Sequence, residues 1–183
     1  MRHLRLVTVA VVVALALLAP QTASAAGRGA PARFPNGAFI GTFPAGLFCP
    51  FPVYTQPVPI DRTQTVTLFF DKSGNVVKIT FTGVQYTLLQ NATTGKTIVV
   101  NSSGMGTLIP QPDGSLLGTG SGPGLFGLSS IEGGATVHGP GIFLDDGENS
   151  FTVTAPAPVT NQTLVENLVV VGKVTSLCPV LAT

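Results

Sequence analysis

The sequence predicts an all-β protein. The expected architecture is an antiparallel meander forming a closed or nearly closed β-barrel, with a two-sheet β-sandwich as the alternative. Three observations point there. Apolar and polar residues alternate with a period of two, as in Val66, Leu68 and Phe70 against Thr65 and Thr67. Turn-forming clusters such as Asp71-Lys72-Ser73-Gly74-Asn75 and Pro112-Asp113-Gly114 separate these runs at hairpin spacing. The chain is rich in Thr and Val, has only three Glu and four Lys, and shows no capped apolar run at i, i+3, i+4 spacing.

Residues 1–25 read as an export signal. Arg2, His3 and Arg5 precede a 14-residue apolar run from Leu6 to Ala19, and Ala23-Ser24-Ala25 forms a small-residue cleavage site. The run is shorter than the roughly 20 residues that span a bilayer, so no membrane anchor is expected. No second hydrophobic span follows, and the protein is expected to be secreted, beginning at Ala26. Residues 26–46, with scattered Gly and Pro, are expected as a flexible lead-in to a single domain over 47–183.

Pro50, Pro52, Pro57 and Pro59 keep the next stretch extended, as an edge strand or strap. A strand follows from Thr63, then a turn over 71–75. The next strand places Val77, Ile79 and Phe81 on one face. After Gly83 the apolar phase shifts to Val84, Tyr86 and Leu88, as a β-bulge would produce. Asn91 to Lys96 is a turn, and Thr97–Asn101 opens another strand. Further strands are expected over Ala135–Leu144, Phe151–Thr154 and Leu164–Leu177. Asp145-Asp146-Gly147-Glu148-Asn149 is read as the turn between two of them. Gly122-Pro123-Gly124-Leu125-Phe126 recurs as Gly139-Pro140-Gly141-Ile142-Phe143, which we read as two strands each beginning after a Gly-Pro-Gly kink.

Charged residues make up 9% of the chain, against roughly a quarter in an average soluble domain. The formal net charge is +1, so there is no basic stripe for nucleic acid and no acidic tail. Gly122-x-Gly124-x-x-Gly127 spells a dinucleotide fingerprint, but Pro123 and the lack of a following helix remove its context. No cofactor is expected. Asp145, Asp146 and Glu148 could supply part of a calcium site, although their spacing does not match the twelve-residue calcium loop. His138 is the one His of the exported part and a weak candidate base; no G-x-S-x-G nucleophile elbow accompanies it. Glu166 shares the parity of Leu164 and Leu168, which would place it at a barrel mouth or where the strand has not yet entered the sheet. No catalytic or metal site is assigned to these residues.

Cys49 and Cys178 are the two Cys of the chain. In an oxidising compartment they are expected to pair, closing a loop of about 130 residues that the chain-entropy model values at roughly 4–5 kcal/mol. In a closed meander the first and last strands are neighbours, so the bridge would staple the barrel seam.

Several segments carry a resemblance. Cys49, Thr94-Gly95-Lys96, Asn101-Ser102-Ser103-Gly104, Pro112-Asp113-Gly114-Ser115 and Val171-Gly172-Lys173-Val174-Thr175-Ser176-Leu177-Cys178 resemble the uncharacterised small secreted β-rich proteins common in actinobacteria. The likeness covers most of 49–178. It implies an exported β-fold and assigns no catalytic residues. The leading functional expectation is a non-catalytic extracellular or envelope-associated binding or structural protein. A carrier barrel for a small apolar ligand, lined by Phe69 or Phe70, Phe81, Phe126 and Phe143, is one alternative. An allene-oxide-cyclase-like barrel enzyme is the other.

Overall fold

The computed structural model describes residues 29–36, 40–59, 63–128, 140–154 and 165–183. In chain order the elements are β1 (Ala32–Pro35), β2 (Gly41–Phe43), β3 (Val53–Pro57), β4 (Thr65–Phe70), β5 (Val76–Thr82) and β6 (Tyr86–Asn91). They continue as β7 (Thr97–Asn101), β8 (Met105–Pro110), β9 (Leu116–Leu128), β10 (Gly141–Val153), β11 (Val165–Ser176) and α1 (Cys178–Ala182). All-β architecture with antiparallel pairing is therefore the observed class.

The strands form two sheets. A seven-stranded sheet runs β1-β4-β5-β8-β9-β10-β11 and a four-stranded sheet runs β2-β3-β6-β7. β1 and β11 stand at opposite edges of the large sheet, and no ladder joins them among the described residues. The expected barrel closure is thus not found, and the sandwich-like alternative fits. The chain reaches this arrangement by crossing between sheets. Gly83, at φ 109°, sits at one crossing, between β5 of the large sheet and β6 of the small one. A Cβ on Gly83 would stand 2.5 Å from the Thr63 carbonyl oxygen, so the close passage requires glycine. The apolar phase shift at Gly83 is this crossing and not a bulge within one strand. A second crossing at Ser102-Ser103-Gly104 leads from β7 to β8. The Gln85 amide donates to Ser103 Oγ (2.9 Å) and the Ser102 amide to the Gln85 carbonyl (2.9 Å), tying the two crossings together.

Two strands lie inside the stretch expected as a lead-in: β1 pairs with β4, and β2 pairs with β3. The turn expected at 71–75 is present, with Asp71 Oδ1 accepting from the Ser73 and Asn75 amides at 2.8 and 2.9 Å. Pro112-Asp113-Gly114 likewise turns β8 into β9. The turn expected at 145–149 is absent, because β10 runs unbroken through it, paired to β9 and β11 along its length. The repeated Gly-Pro-Gly segments also differ from expectation. Gly141 does open β10, but Gly122-Pro123-Gly124 lies within β9, and the echoed Phe126 and Phe143 face each other in register.

Strand alternation gives the large sheet two faces. On one, Val66, Ile79 and Leu108 form a cluster, and Leu128, Phe143 and Leu168 form another. Phe151 packs against both clusters and meets Phe126 edge-on at 5.5 Å between ring centres. The other face is partly covered by the small sheet. There Phe48, Cys49, Val53, Leu89, Val100, Ile142, Leu177 and Leu181 are buried together.

The Cys49–Cys178 disulfide is present, with Cα atoms 5.5 Å apart. It joins the β2–β3 connection of the small sheet to the start of α1, just past β11 of the large one. The bridge therefore clamps two sheets together and does not close a barrel seam. Leu168, Val170 and Val174 share one core face of β11, whereas Leu177 and Cys178 belong to the inter-sheet core. Asn91, 2% exposed, seats α1: its Nδ2 donates to the Leu181 carbonyl at 3.2 Å while its Oδ1 accepts from the Thr93 amide.

Candidate functional site

Three places on this scaffold concentrate polar chemistry. The first is a bend in the long strands. Gly122, Gly147 and Gly172 align across β9, β10 and β11. Gly122 has φ 82° and Gly172 has φ 152°, and a Cβ on Gly147 would collide with the Val171 carbonyl. Asp145 and Asn149 flank this row on the Phe151 face. In a straight strand residues four apart lie about 13 Å from one another. Here Asn149 Nδ2 donates to Asp145 Oδ2 at 2.7 Å, so the strand folds toward itself over Gly147.

Both side chains are buried, Asp145 at 1% exposure and Asn149 at 9%. Glycine makes their space: a Cβ at Gly120 would lie 2.7 Å from Asn149 Oδ1, and one at Gly124 would collide with Asp145 Oδ1. Burial pushes the Asp145 carboxyl above the usual carboxylate range. The Asn149 amide partly offsets that rise, as do the Gly124 and Asp145 amides, while the charge of Asp146 adds to it. Asp145 Oδ1 and Asn149 Oδ1 have no hydrogen-bond partner among the described residues.

The second place is the part of the other face that the small sheet leaves uncovered. Thr67, Thr80, Thr107, Thr119 and Ser150 stand in register across β4, β5, β8, β9 and β10. Adjacent strands are about 4.8 Å apart, so the hydroxyls recur at that interval. A shallow trough of about 380 Å³ lies over the middle of this row, lined by Thr80, Thr82, Met105, Thr107, Thr119 and Ser121 with intervening backbone. The lining is uncharged. Met105 in the lining is exposed, Glu148 of β10 stands opposite Ser121 at its border, and Arg33 at the β1 edge donates from Nη2 to Thr65 Oγ1 at 3.1 Å.

The third is a cleft of about 190 Å³ where the two sheets part. Phe43, Pro57, Leu89, Leu125 and Ile142 form its apolar walls, and Thr55, Gln85 and Thr87 supply polar groups. The Thr87 hydroxyl shares a hydrogen bond with Ser102 Oγ at 2.8 Å, which fixes its position at the crossing.

The residues singled out from the sequence do not converge. Asp146 and Glu148 are exposed, while Asp145, of opposite parity along β10, is buried on the Phe151 face. Asp145 therefore does not share a face with the other two acids, and the three do not converge on one point. His138 lies outside the described residues. Glu166 lies in β11 opposite Thr152, and its side chain is also outside them. Of the aromatic residues expected inside, Phe81, Phe126 and Phe143 pack in the core, whereas Phe69 lies under the Lys78 ammonium, 4.2 Å from its ring centre. Asn149 and the threonine row were missed. The row's residues are far apart in sequence, and only strand register brings them together. No family model matches the chain, and neither the curated proteins nor the solved structures yield a significant match.

Proposed function

We propose that this chain is exported and acts as a non-catalytic, disulfide-stapled binding or structural protein, outside the cell or at its envelope. The observation that carries the proposal is the uncharged hydroxyl-and-methyl trough on an otherwise regular sheet face. Aligned threonines offer donors and acceptors at fixed spacing beside apolar methyl groups, which suits a neutral, hydroxyl-bearing surface. The leader, the paired cysteines and the low charge support the compartment. Co-sedimentation of the purified exported chain with an insoluble envelope fraction is the test. Pelleting that persists at high salt is expected, because an uncharged contact is little screened. A protein that stays in the supernatant would refute the envelope reading.

The inter-sheet cleft favours a second reading, a carrier for a small apolar ligand. Its volume of about 190 Å³ falls below the roughly 300–1,000 Å³ of drug-sized sites, so the ligand would have few heavy atoms. Mass spectrometry of the protein from its own culture medium tests this: a co-purifying small molecule supports the carrier, and a clean spectrum opposes it.

A further inference from the structure

We propose that Asp145 is protonated in the folded chain, so that its buried carboxyl donates as well as accepts beside Asn149. The two side chains are already joined by the Asn149 Nδ2 bond to Asp145 Oδ2 at 2.7 Å. The Gly124 and Asp145 amides approach the carboxyl, yet Asp145 Oδ1 and Asn149 Oδ1 are left without a hydrogen-bond partner among the described residues. A carboxylate and an amide carbonyl offer only lone pairs, so as ions and dipoles they leave each other unsatisfied. One proton on Asp145 removes the buried charge and turns a carboxyl that only accepts into one that also donates.

The surroundings favour a proton over a metal ion. Hard cations such as calcium take six to eight oxygens, whereas Asp146 and Glu148 are exposed and of the opposite parity. The strand backbone at Gly120 and Gly124 is pressed against the two side chains, and neither the trough nor the cleft is lined by them. A lone buried carboxylate far from a cation is also expensive to keep ionised, and such groups neutralise instead. No described cation faces it. β9 carries no titratable residue, and β4, β5 and β8 present Val66, Ile79 and Leu108 to this face. In β11, Lys173 pairs with Asp146, on the opposite parity, and Glu166 stands at the far end opposite Thr152. Nearest in sequence is Asp146, whose charge opposes ionisation of Asp145.

The consequence is a pH-sensitive latch on the three-strand bend. Asp145 binds its proton more tightly folded than unfolded. Its contribution to stability is complete below the unfolded carboxylate value, about 3.9, and is lost as pH rises through the higher folded value. Ionisation would leave an unpaired charge over Gly147 and loosen β10 against its neighbours.

Two measurements on the exported chain test this. The Asp145 side-chain carboxyl carbon, followed by NMR, should titrate well above the ordinary Asp range. The urea midpoint should fall as pH rises through the raised folded value in wild type and flatten in Asp145→Asn, which keeps an amide in place of the neutral acid. An ordinary titration near 3.9 would overturn the proposal, and would do so even if Asp145→Asn failed to fold. It would also be overturned if calcium raised the urea midpoint of wild type but not of Asp145→Asn.

Discussion

Along β9 and β10 the small and polar residues do as much structural work as the apolar ones. Gly118 accepts the Phe151 ring at a distance where a Cβ would lie 2.5 Å away, and Gly147 permits the bend that brings Asp145 to Asn149. Adding a methyl at Gly147 forces backbone against backbone. Gly147→Ala is expected to destabilise the fold by about 1–3 kcal/mol, the usual range for overpacking, as read from denaturant midpoints. An unchanged midpoint would mean that the bend does not depend on the glycine. Asp71 behaves oppositely to Asp145. The Asn75 side chain and amide hold its carboxyl below the usual range. Its stabilising effect is present above the unfolded carboxylate value and fades as pH falls through the lower folded one. Asp71→Ala should therefore reduce the acid sensitivity of amide protection in the β4–β5 turn, measured by hydrogen exchange. The sequence made the Asp71 turn legible, since its Asp and Asn cap the loop locally. It misled at 145–149, where the same residue types serve a bend set by Gly147 together with glycines on the two neighbouring strands.

At the scale of elements, short strands with local turns were readable and the assignment of strands to sheets was not. Period-two alternation located β4, β5 and β7 because each buries one face. The phase shift after Gly83 was visible too, but a bulge and a change of sheet leave the same mark in one chain. What separates them is the partner strand: β6 pairs with β3 in the four-stranded sheet, whereas β5 belongs to the seven-stranded one. β9 and β10 were underestimated because glycines and acids interrupt their alternation. β6 supplies Leu89, 1% exposed, to the inter-sheet core. Leu89→Ala should cost about 2–5 kcal/mol, as cavities in packed cores do. Loss of the near-ultraviolet signal at lower denaturant, with strand content retained before unfolding, is the expected readout. A change below about 1 kcal/mol would indicate that the sheets do not pack tightly there.

For the whole molecule, the disulfide was readable from two cysteines and an expected export signal, while its place was not. Pairing required only an oxidising compartment, but the location depended on a closure that is not found among the described residues. Spanning 129 residues, the bridge links the small sheet to the end of the large one. Reduction should lower stability by roughly 4–5 kcal/mol in the chain-entropy model. Amide exchange should rise first around β3 and α1, where Cys49 and Cys178 sit. Uniform exchange across both sheets would show that the clamp is not local.

The threonine face and the inter-sheet cleft make competing claims on function, and one binding comparison separates them. Thr119→Lys places a charge in the trough without touching the cleft, while Thr55→Val removes a cleft hydroxyl at nearly constant volume. Co-sedimentation with the envelope fraction should fall at least tenfold for Thr119→Lys and stay within about twofold for Thr55→Val, since a desolvated unpaired charge costs well over the 1.4 kcal/mol of a tenfold change. Full binding by a correctly folded Thr119→Lys protein would contradict the account.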